Sequence, residues 1–309
     1  MQKELLFSVV VPVYNSQDSL EELANRINTV FNKMNFDYEL IFVNDSSNDG
    51  SLKKLKEIKS KLMNKITIVD LIRNYGQQNA IMCGFQYCKG KYIITLDDDL
   101  QNPPEEITKL YAKLLEGYDV IYGCYEKKKD KFYKNMGSHF FRKLNHKIFN
   151  LKKDIKFSSF RIMRKEIVNE IKKDKTVFPY ISGMIVSLTD NIENTIILHE
   201  KRKYGKSNYN LSKLLELSYN LLINYSSIPL KLVGYFGLVS SFLSFVIAMF
   251  FVIKKMLNGQ APAGWTSIIV IISFNNSILL MFLFFIGEYL SRILKEVSNR
   301  DAYSIREVW

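Results

Sequence analysis

Tyr92-Ile93-Ile94-Thr95-Leu96-Asp97-Asp98-Asp99-Leu100-Gln101-Asn102-Pro103-Pro104-Glu105 sets an apolar run directly against three carboxylates and an amide. The apolar half reads as a buried strand and Pro103-Pro104 opens a helix, so the acidic cluster falls at a strand's carboxyl end. An isolated Asp-Asp-Asp would be a solvated turn. Packed together, such carboxylates repel, and a shared hard cation relieves them. Oxygen donors at this density suit Mg2+ or Mn2+ better than zinc. Which reading holds depends on what the neighbouring strands end in.

Upstream, Phe7 to Val13 is almost continuously apolar, the pattern of a strand covered on both faces. Tyr14-Asn15-Ser16 breaks it, and Ser16 or Asp18 is positioned to cap a helix carrying Leu20, Leu23, Ile27 and Val30 at helical spacing. Glu39 to Val43 is a second buried strand, ending in Asn44-Asp45-Ser46-Ser47-Asn48-Asp49-Gly50. Ile66 to Leu71 is a third, ending in Arg73-Asn74-Tyr75-Gly76-Gln77-Gln78, and Asn79 to Tyr87 is helical. This alternation predicts an α/β domain built on a doubly wound, mostly parallel sheet, with ligands at the strands' carboxyl ends. Three successive strand ends loaded with polar groups point to one shared ligand. Neither a dinucleotide glycine fingerprint nor a P-loop is present, so a nucleotide would be held through carboxylates and a metal.

The chain has 309 residues, 47% of them hydrophobic, enough for a sizeable core. Its net charge of +12 calls for an anionic partner: nucleic acid, anionic lipid or a phosphorylated substrate. No zinc-finger or RNA-binding motif supports nucleic acid. Cys83, Cys88 and Cys124 have no metal spacing and suit a reducing compartment. His139, His146 and His199 form no metal-site arrangement. The N-terminus runs straight into a strand without the succession of a cleaved signal, so the expectation is that this part of the chain stays in the cytoplasm.

With these motifs assembled, the chain resembles the family 2 glycosyltransferases of GT-A fold. The resemblance rests on Val10-Val11-Pro12-Val13-Tyr14-Asn15, on the Asn44 to Gly50 and Arg73 to Ala80 segments, and on Asp97 to Glu105, in family order. It implies that Asp45 binds the base or ribose of a nucleotide diphosphate-sugar, with Pro12 and Tyr14 lining the pocket and Asn74 and Asp98 beside it. It also implies that Asp97, Asp99 and Gln101 hold the metal against the diphosphate.

Beyond Gly117, Glu126 to Lys134 interleaves lysines with aromatics, and Phe140, Phe141, Leu144, Ile148 and Phe149 suggest an amphipathic helix at a lipid surface. By resemblance to lipid-acceptor transferases, Lys134 and Ser138 meet an acceptor phosphate, as does Arg161 of Ser158-Ser159-Phe160-Arg161. His199 to Tyr209 is a cationic loop that matches Arg-x-x-Gly-x-Ser-x-Tyr. There Arg202 would serve both donor and acceptor phosphates and Ser207 the acceptor, with loop closure on binding. Cys124-Tyr125 stands where relatives often carry an arginine.

Leu211, Leu214, Leu215, Ser218 and Leu222 outline a surface helix before Pro229. Leu232 to Ile253 and Trp265 to Gly287 then run uncharged for 22 and 23 residues, each long enough to cross roughly 30 Å of hydrocarbon. The basic residues flanking them put both termini in the cytoplasm. Asn275 and Asn276 are costly against lipid and should face a neighbouring helix or another protomer; Glu288 and Arg292 are spaced to pair. Gly287 to Arg292 and Gly264 to Ser267 resemble the two-span polyprenyl-phosphate glycosyltransferases, with Arg300-Asp301-Ala302-Tyr303 replacing the usual Arg-Pro-x-Tyr.

The expected organisation is a catalytic domain over 1–208, juxtamembrane amphipathic helix over 209–229, two transmembrane helices over 230–290 and a cytoplasmic tail over 291–309. The implied activity is inverting transfer of a sugar, UDP-glucose being the first expectation, to undecaprenyl phosphate at the cytoplasmic membrane, with Asp99 and Arg202 catalytic. Partners would be donor, polyprenyl phosphate and membrane lipid, with assembly of copies through the transmembrane helices and no nucleic acid. A soluble or polysaccharide acceptor is the alternative enzyme, and a nucleotide-sugar-binding adaptor the alternative without catalysis.

Overall fold

The strand Phe7–Val13 (β1) is buried along its whole length, as a continuous apolar run between two covered faces must be. The computed structural model describes residues 5–62, 65–125, 155–200, 203, 223, 226, 228–258, 264–297 and 302–309. Parallel to β1 run Tyr38–Asn44 (β2) and Tyr92–Thr95 (β4), and Ile66–Leu71 (β3) runs parallel to β2. In register, Val13 lies level with Asn44, Asn44 with Asp70, and Val10 with Thr95. The loaded strand ends therefore emerge from one edge of the sheet.

Outside this centre the sheet is mixed. Arg161–Arg164 (β6) inserts antiparallel between β4 and Val120–Cys124 (β5), and Ile192–Ile196 (β7) runs parallel to β5. At the other edge Ile305–Val308 (β8) pairs antiparallel with β3, giving the order β7-β5-β6-β4-β1-β2-β3-β8. The residues expected to form only a tail thus end in an edge strand of the catalytic sheet.

Helix Leu20–Met34 (α1) buries Leu20, Leu23, Ile27 and Val30 as their spacing requires. Its N-cap is Ser19, not Ser16 or Asp18, and the Ser19 hydroxyl donates to the Asp98 carbonyl at 2.6 Å while its oxygen accepts no capping bond from its own helix. Ser51–Leu62 (α2) follows β2, and Gln77–Gln86 (α3) follows β3. A Cβ on Gly84 of α3 would collide with Val10 and come within 3.2 Å of Val43 Cγ2. Glycine there lets α3 lie close on β1 and β2, which brings its first residue, Gln77, to the acidic end of β4. A single 3-10 turn at Pro104–Glu106 leads into Ile107–Leu114 (α4), and Lys165–Ile171 (α5) and Ile181–Leu188 (α6) complete the domain. Cys83 and Cys88 are buried in its core and unbridged.

The chain divides into two units, Met1–Leu214 with Arg300–Trp309, and Leu215–Asn299. The second holds helices Ile228–Asn258 (α7) and Trp265–Val297 (α8), each extending past the uncharged stretch that predicts it. Both are long and apolar enough to cross a membrane, over Ile228–Ile247 and Phe274–Leu294. Pro229 lies in the first turn of α7, where its missing N–H breaks no helical bond. Asn275 turns toward α7, accepting from Ser240 at 2.5 Å and donating to Ser244 at 2.7 Å, and Asn276 is exposed. Glu288 and Arg292 pair at 3.5 Å. Lys134, Ser138, Arg202, Ser207, the basic-aromatic segment and the surface helix over 211–222 lie outside the described residues.

Candidate active site

Four strand-end loops are stitched together by side chain to backbone bonds. The loop after β1 is tied to the loop after β2: Asn15 N donates to Ser47 Oγ at 3.0 Å, Asn48 N to Asn15 Oδ1 at 2.8 Å, and Gly50 N to Gln17 Oε1 at 3.0 Å. Tyr14, 44% exposed beside Pro12, offers a ring face at this edge while its amide donates to Asp98 Oδ2 at 3.1 Å. Removal from water among these loops, opposed by hydrogen bonds from Ser16 and Tyr14, lifts the Asp98 carboxyl to about 6.

Asp45 is 3% exposed. Its carboxylate accepts from the amides of Tyr75 at 2.7 Å and Gly76 at 2.8 Å, so it closes the loop after β3 against β2. Burial raises its pKa, and the two amides oppose the rise. Gly76 has φ of 88°, a conformation that glycine adopts without a Cβ penalty and that turns its amide onto Asp45. Asn74 is exposed on the same loop.

The acidic cluster divides its work. Asp97 accepts from Gln77 Nε2 at 2.6 Å on one oxygen and from the Ser159 hydroxyl on the other. Asp98 turns to Tyr14, and Asp99 Oδ1 accepts from the Gln101 amide at 3.1 Å. Leu100 between them holds φ at 60°, an unusual conformation for a branched side chain, and buries that side chain under the loop. Among the described residues no three His, Cys, Asp or Glu side chains converge as a metal cage. The oxygen donors of Asp97, Asp99 and Gln101 nevertheless fit Mg2+ or Mn2+ of the kind held by one or two carboxylates and completed by substrate phosphates.

Arg161 lies beneath this cluster at 2% exposure, donating to Thr95 Oγ1 at 3.1 Å and Ser182 Oγ at 3.2 Å. In this arrangement its donors face the interior, not an exposed phosphate as the resemblance implies. On the far side the Glu200 amide donates to the Gln101 carbonyl at 2.9 Å, and Arg26 bridges Glu200 and Glu105 at 2.9 and 2.7 Å. The start of the cationic loop is therefore fastened to the acidic turn, and His199 stacks on Tyr125 beside it, 4.3 Å between ring centroids. Gln77 and Ser159 stand within the sequence motifs but carry no role there. The signal that could find Gln77 is its place at the helix start that follows a loaded strand; Ser159 has no local signal.

Residues 8–172 match the family model described as glycosyl transferase family 2, just over half the chain. The chain belongs to that family. It is a glycosyltransferase of GT-A fold, and its likeness to relatives runs nearly end to end. It is 33% identical over 99% of its length to the uncharacterized glycosyltransferase YkcC of Bacillus subtilis (strain 168), covering 95% of that protein. It is 34% identical over 97% of its length to the undecaprenyl-phosphate 4-deoxy-4-formamido-L-arabinose transferase of Proteus mirabilis (strain HI4320), covering 93% of it. Among solved structures, glucosyl-3-phosphoglycerate synthase of Mycobacterium tuberculosis, crystallised with Mn2+, UDP and glucosyl-3-phosphoglycerate, shares the fold. The match has a TM-score of 0.51 and 17% identity over 71% of this chain and 79% of that one.

Proposed function

We propose that this glycosyltransferase moves a sugar from a UDP-sugar to undecaprenyl phosphate at the cytoplasmic face of a membrane crossed by α7 and α8. The observation that carries the reading is the end-to-end match, two apolar helices included, to a relative named for that acceptor. Because the chain leaves the catalytic unit at Leu214 and rejoins it at Arg300, two crossings return it to the side it started from.

In this reading the base lies against Tyr14 and Pro12, with Asp45, Asn74 and Asp98 at the edge of its pocket. Asp97, Asp99 and Gln101 would hold Mg2+ or Mn2+, which when bound offsets the charge of the departing nucleotide diphosphate. Gln77 and Ser159 fix the rotamer of Asp97, and the Gln101 amide fixes Asp99. No general base is needed, because a lipid phosphate is already an anion near neutral pH and its oxygen can attack the anomeric carbon directly. The nucleotide diphosphate leaves as that bond forms, and the single displacement inverts the centre. Lys134, Ser138, Arg202 and Ser207 are assigned to the phosphates, where clustered cations offset the repulsion between two anionic substrates. Arg161 supports the floor beneath Asp97 through Thr95.

UDP-glucose is the donor the sequence resemblance suggests, and the relative from Proteus mirabilis, named for 4-deoxy-4-formamido-L-arabinose, brings a modified pentose into the same frame. The test is Asp99→Asn in the full-length protein. It should cut transfer by at least the roughly hundredfold that disturbing a metal site can cost, with melting temperature unchanged. Near-normal transfer by a folded Asp99→Asn protein would remove the metal assignment.

A further inference from the structure

We propose that the C-terminal strand is part of the donor site, with Arg306 a positioning residue for the Asp45 pocket. This inference rests on the transferase reading above and adds to it a segment that follows the membrane helices in sequence. Strand β8 closes the open edge of β3, and the last residue extends the pairing: Trp309 N donates to Ile68 O at 2.9 Å and Ile68 N to Trp309 O at 3.0 Å. Lys56 of α2 stands 3.7 Å above the Trp309 ring, pinning that end. At the other end Ile72 N donates to Ser304 O at 3.0 Å.

Between these anchors the Arg306 guanidinium forks. Nη1 donates to Asp70 Oδ2 at 3.2 Å, and Nη2 donates to Ile72 O at 2.9 Å. Asp70 is 1% exposed, and its other oxygen accepts from Asn44 Nδ2 at 2.6 Å. The Asn44 side-chain Oδ1 in turn accepts from the Ser47 amide at 3.3 Å, and Ser46 Oγ donates to the same Ile72 main-chain carbonyl at 3.5 Å. Asp45 sits inside this frame. The residue before it is held on Asp70, the residue after it on Ile72, and the loop that follows Ile72 supplies the two amides that Asp45 accepts. One side chain from beyond the hairpin thus neutralises the buried carboxylate under one wall of the pocket and ties the other wall to it.

Without Arg306, Asp70 would be a buried charge short of its cation, a costlier state than a broken surface pair. The relief available is for Asp70 and Asn44 to move, and that displaces Asp45. The consequence should therefore fall on the donor and not on the lipid acceptor.

The experiment uses the full-length protein in nanodiscs, with UDP and Mn2+ as the binding probe and kinetics for donor and acceptor separately. Arg306→Ala should raise the UDP Kd and the donor KM about tenfold, the scale of losing a partner that orients a ligating group. The acceptor KM should change less than about twofold, Arg306→Lys should recover part of the loss, and Glu170→Ala, on the exposed face of α5, should bind UDP as wild type does. Hydrogen exchange should rise in residues 44–47 and 72–76 of Arg306→Ala without nucleotide present. Unchanged UDP affinity, or equal losses for donor and acceptor, in a folded Arg306→Ala protein would overturn the proposal. If the wild-type protein binds no UDP the functional reading fails, and the exchange measurement still decides whether the tail holds these loops: unchanged exchange overturns that hold.

Discussion

Gln77 donates from Nε2 to Asp97 Oδ1 at 2.6 Å, joining the first turn of α3 to the end of β4. The bond exists because Gly84 lets α3 lie close on β1 and β2. It fixes one carboxylate of the cluster before any ligand arrives. Gln77→Ala should therefore raise the Mn2+ concentration needed for half-maximal transfer by roughly tenfold, the lower range for loss of a partner behind a metal ligand. Gln77→Glu, placing a second negative charge at that distance, should also weaken donor binding. A Mn2+ titration of initial rates checks both, and unchanged curves would detach Gln77 from the site.

Inside the hairpin, Asn275 fills both its polar ends with Ser240 and Ser244 of α7. Replacing it with leucine removes two bonds between helices, which water could not replace if the proposed membrane crossing holds. The expected loss is about 1 kcal/mol, in the range of such bonds in membranes. Unfolding by graded addition of SDS measures it. Asn276→Leu, on the exposed side, should cost less unless copies of the chain pair through that face.

Much of this arrangement was legible from local pattern alone. Phe7 to Val13 and Tyr38 to Asn44 are buried on both faces, and such strands announce themselves as unbroken apolar runs whose polar ends stand out. The acidic turn was visible for the same reason. What escaped depends on partners distant in sequence. The apolar pair Ile162-Met163 marks a strand, but the antiparallel insertion of Arg161–Arg164 between β4 and β5 follows from pairing that no local periodicity encodes. Ile305–Val308 is exposed at every position, so it lacks the burial signal by which strands are found, and its place is set by the edge of β3. Leu100 holds a positive φ that glycine or asparagine would have advertised. Ser159 acts on Asp97 only because β6 lies beside β4.

Arg26 gives the site a dependence on acid. The Glu200 carboxyl is held below its ordinary value of 4.5, first by the hydrogen bond from Arg26, against a smaller opposing effect of burial. For Glu105 burial raises the value and the Arg26 bond with neighbouring cations outweighs it, so it too ends lowered. A carboxyl whose folded value lies below its unfolded value adds stability above the unfolded value and loses it as pH falls through the folded one. Arg26→Gln should thus lower the thermal midpoint near pH 7. The gap from wild type should close progressively as pH drops below about 4.5. Because Glu105 and Glu200 are partly exposed, each pair is worth less than about 1 kcal/mol and should weaken in salt. Melting curves across pH check the sign, and a gap that widens in acid would contradict it.

Transfer to a polyprenyl phosphate would add the mass of one sugar residue to the lipid. Purified full-length protein, undecaprenyl phosphate and Mn2+ are incubated with UDP-glucose and with UDP-linked pentoses, and the extracted lipid is read by mass spectrometry. With one of these donors the lipid should gain one sugar residue, UDP should be released in equal amount, and chelating the metal should stop both. Unmodified lipid with every donor, from a protein that still binds UDP, would contradict transfer to a polyprenyl phosphate.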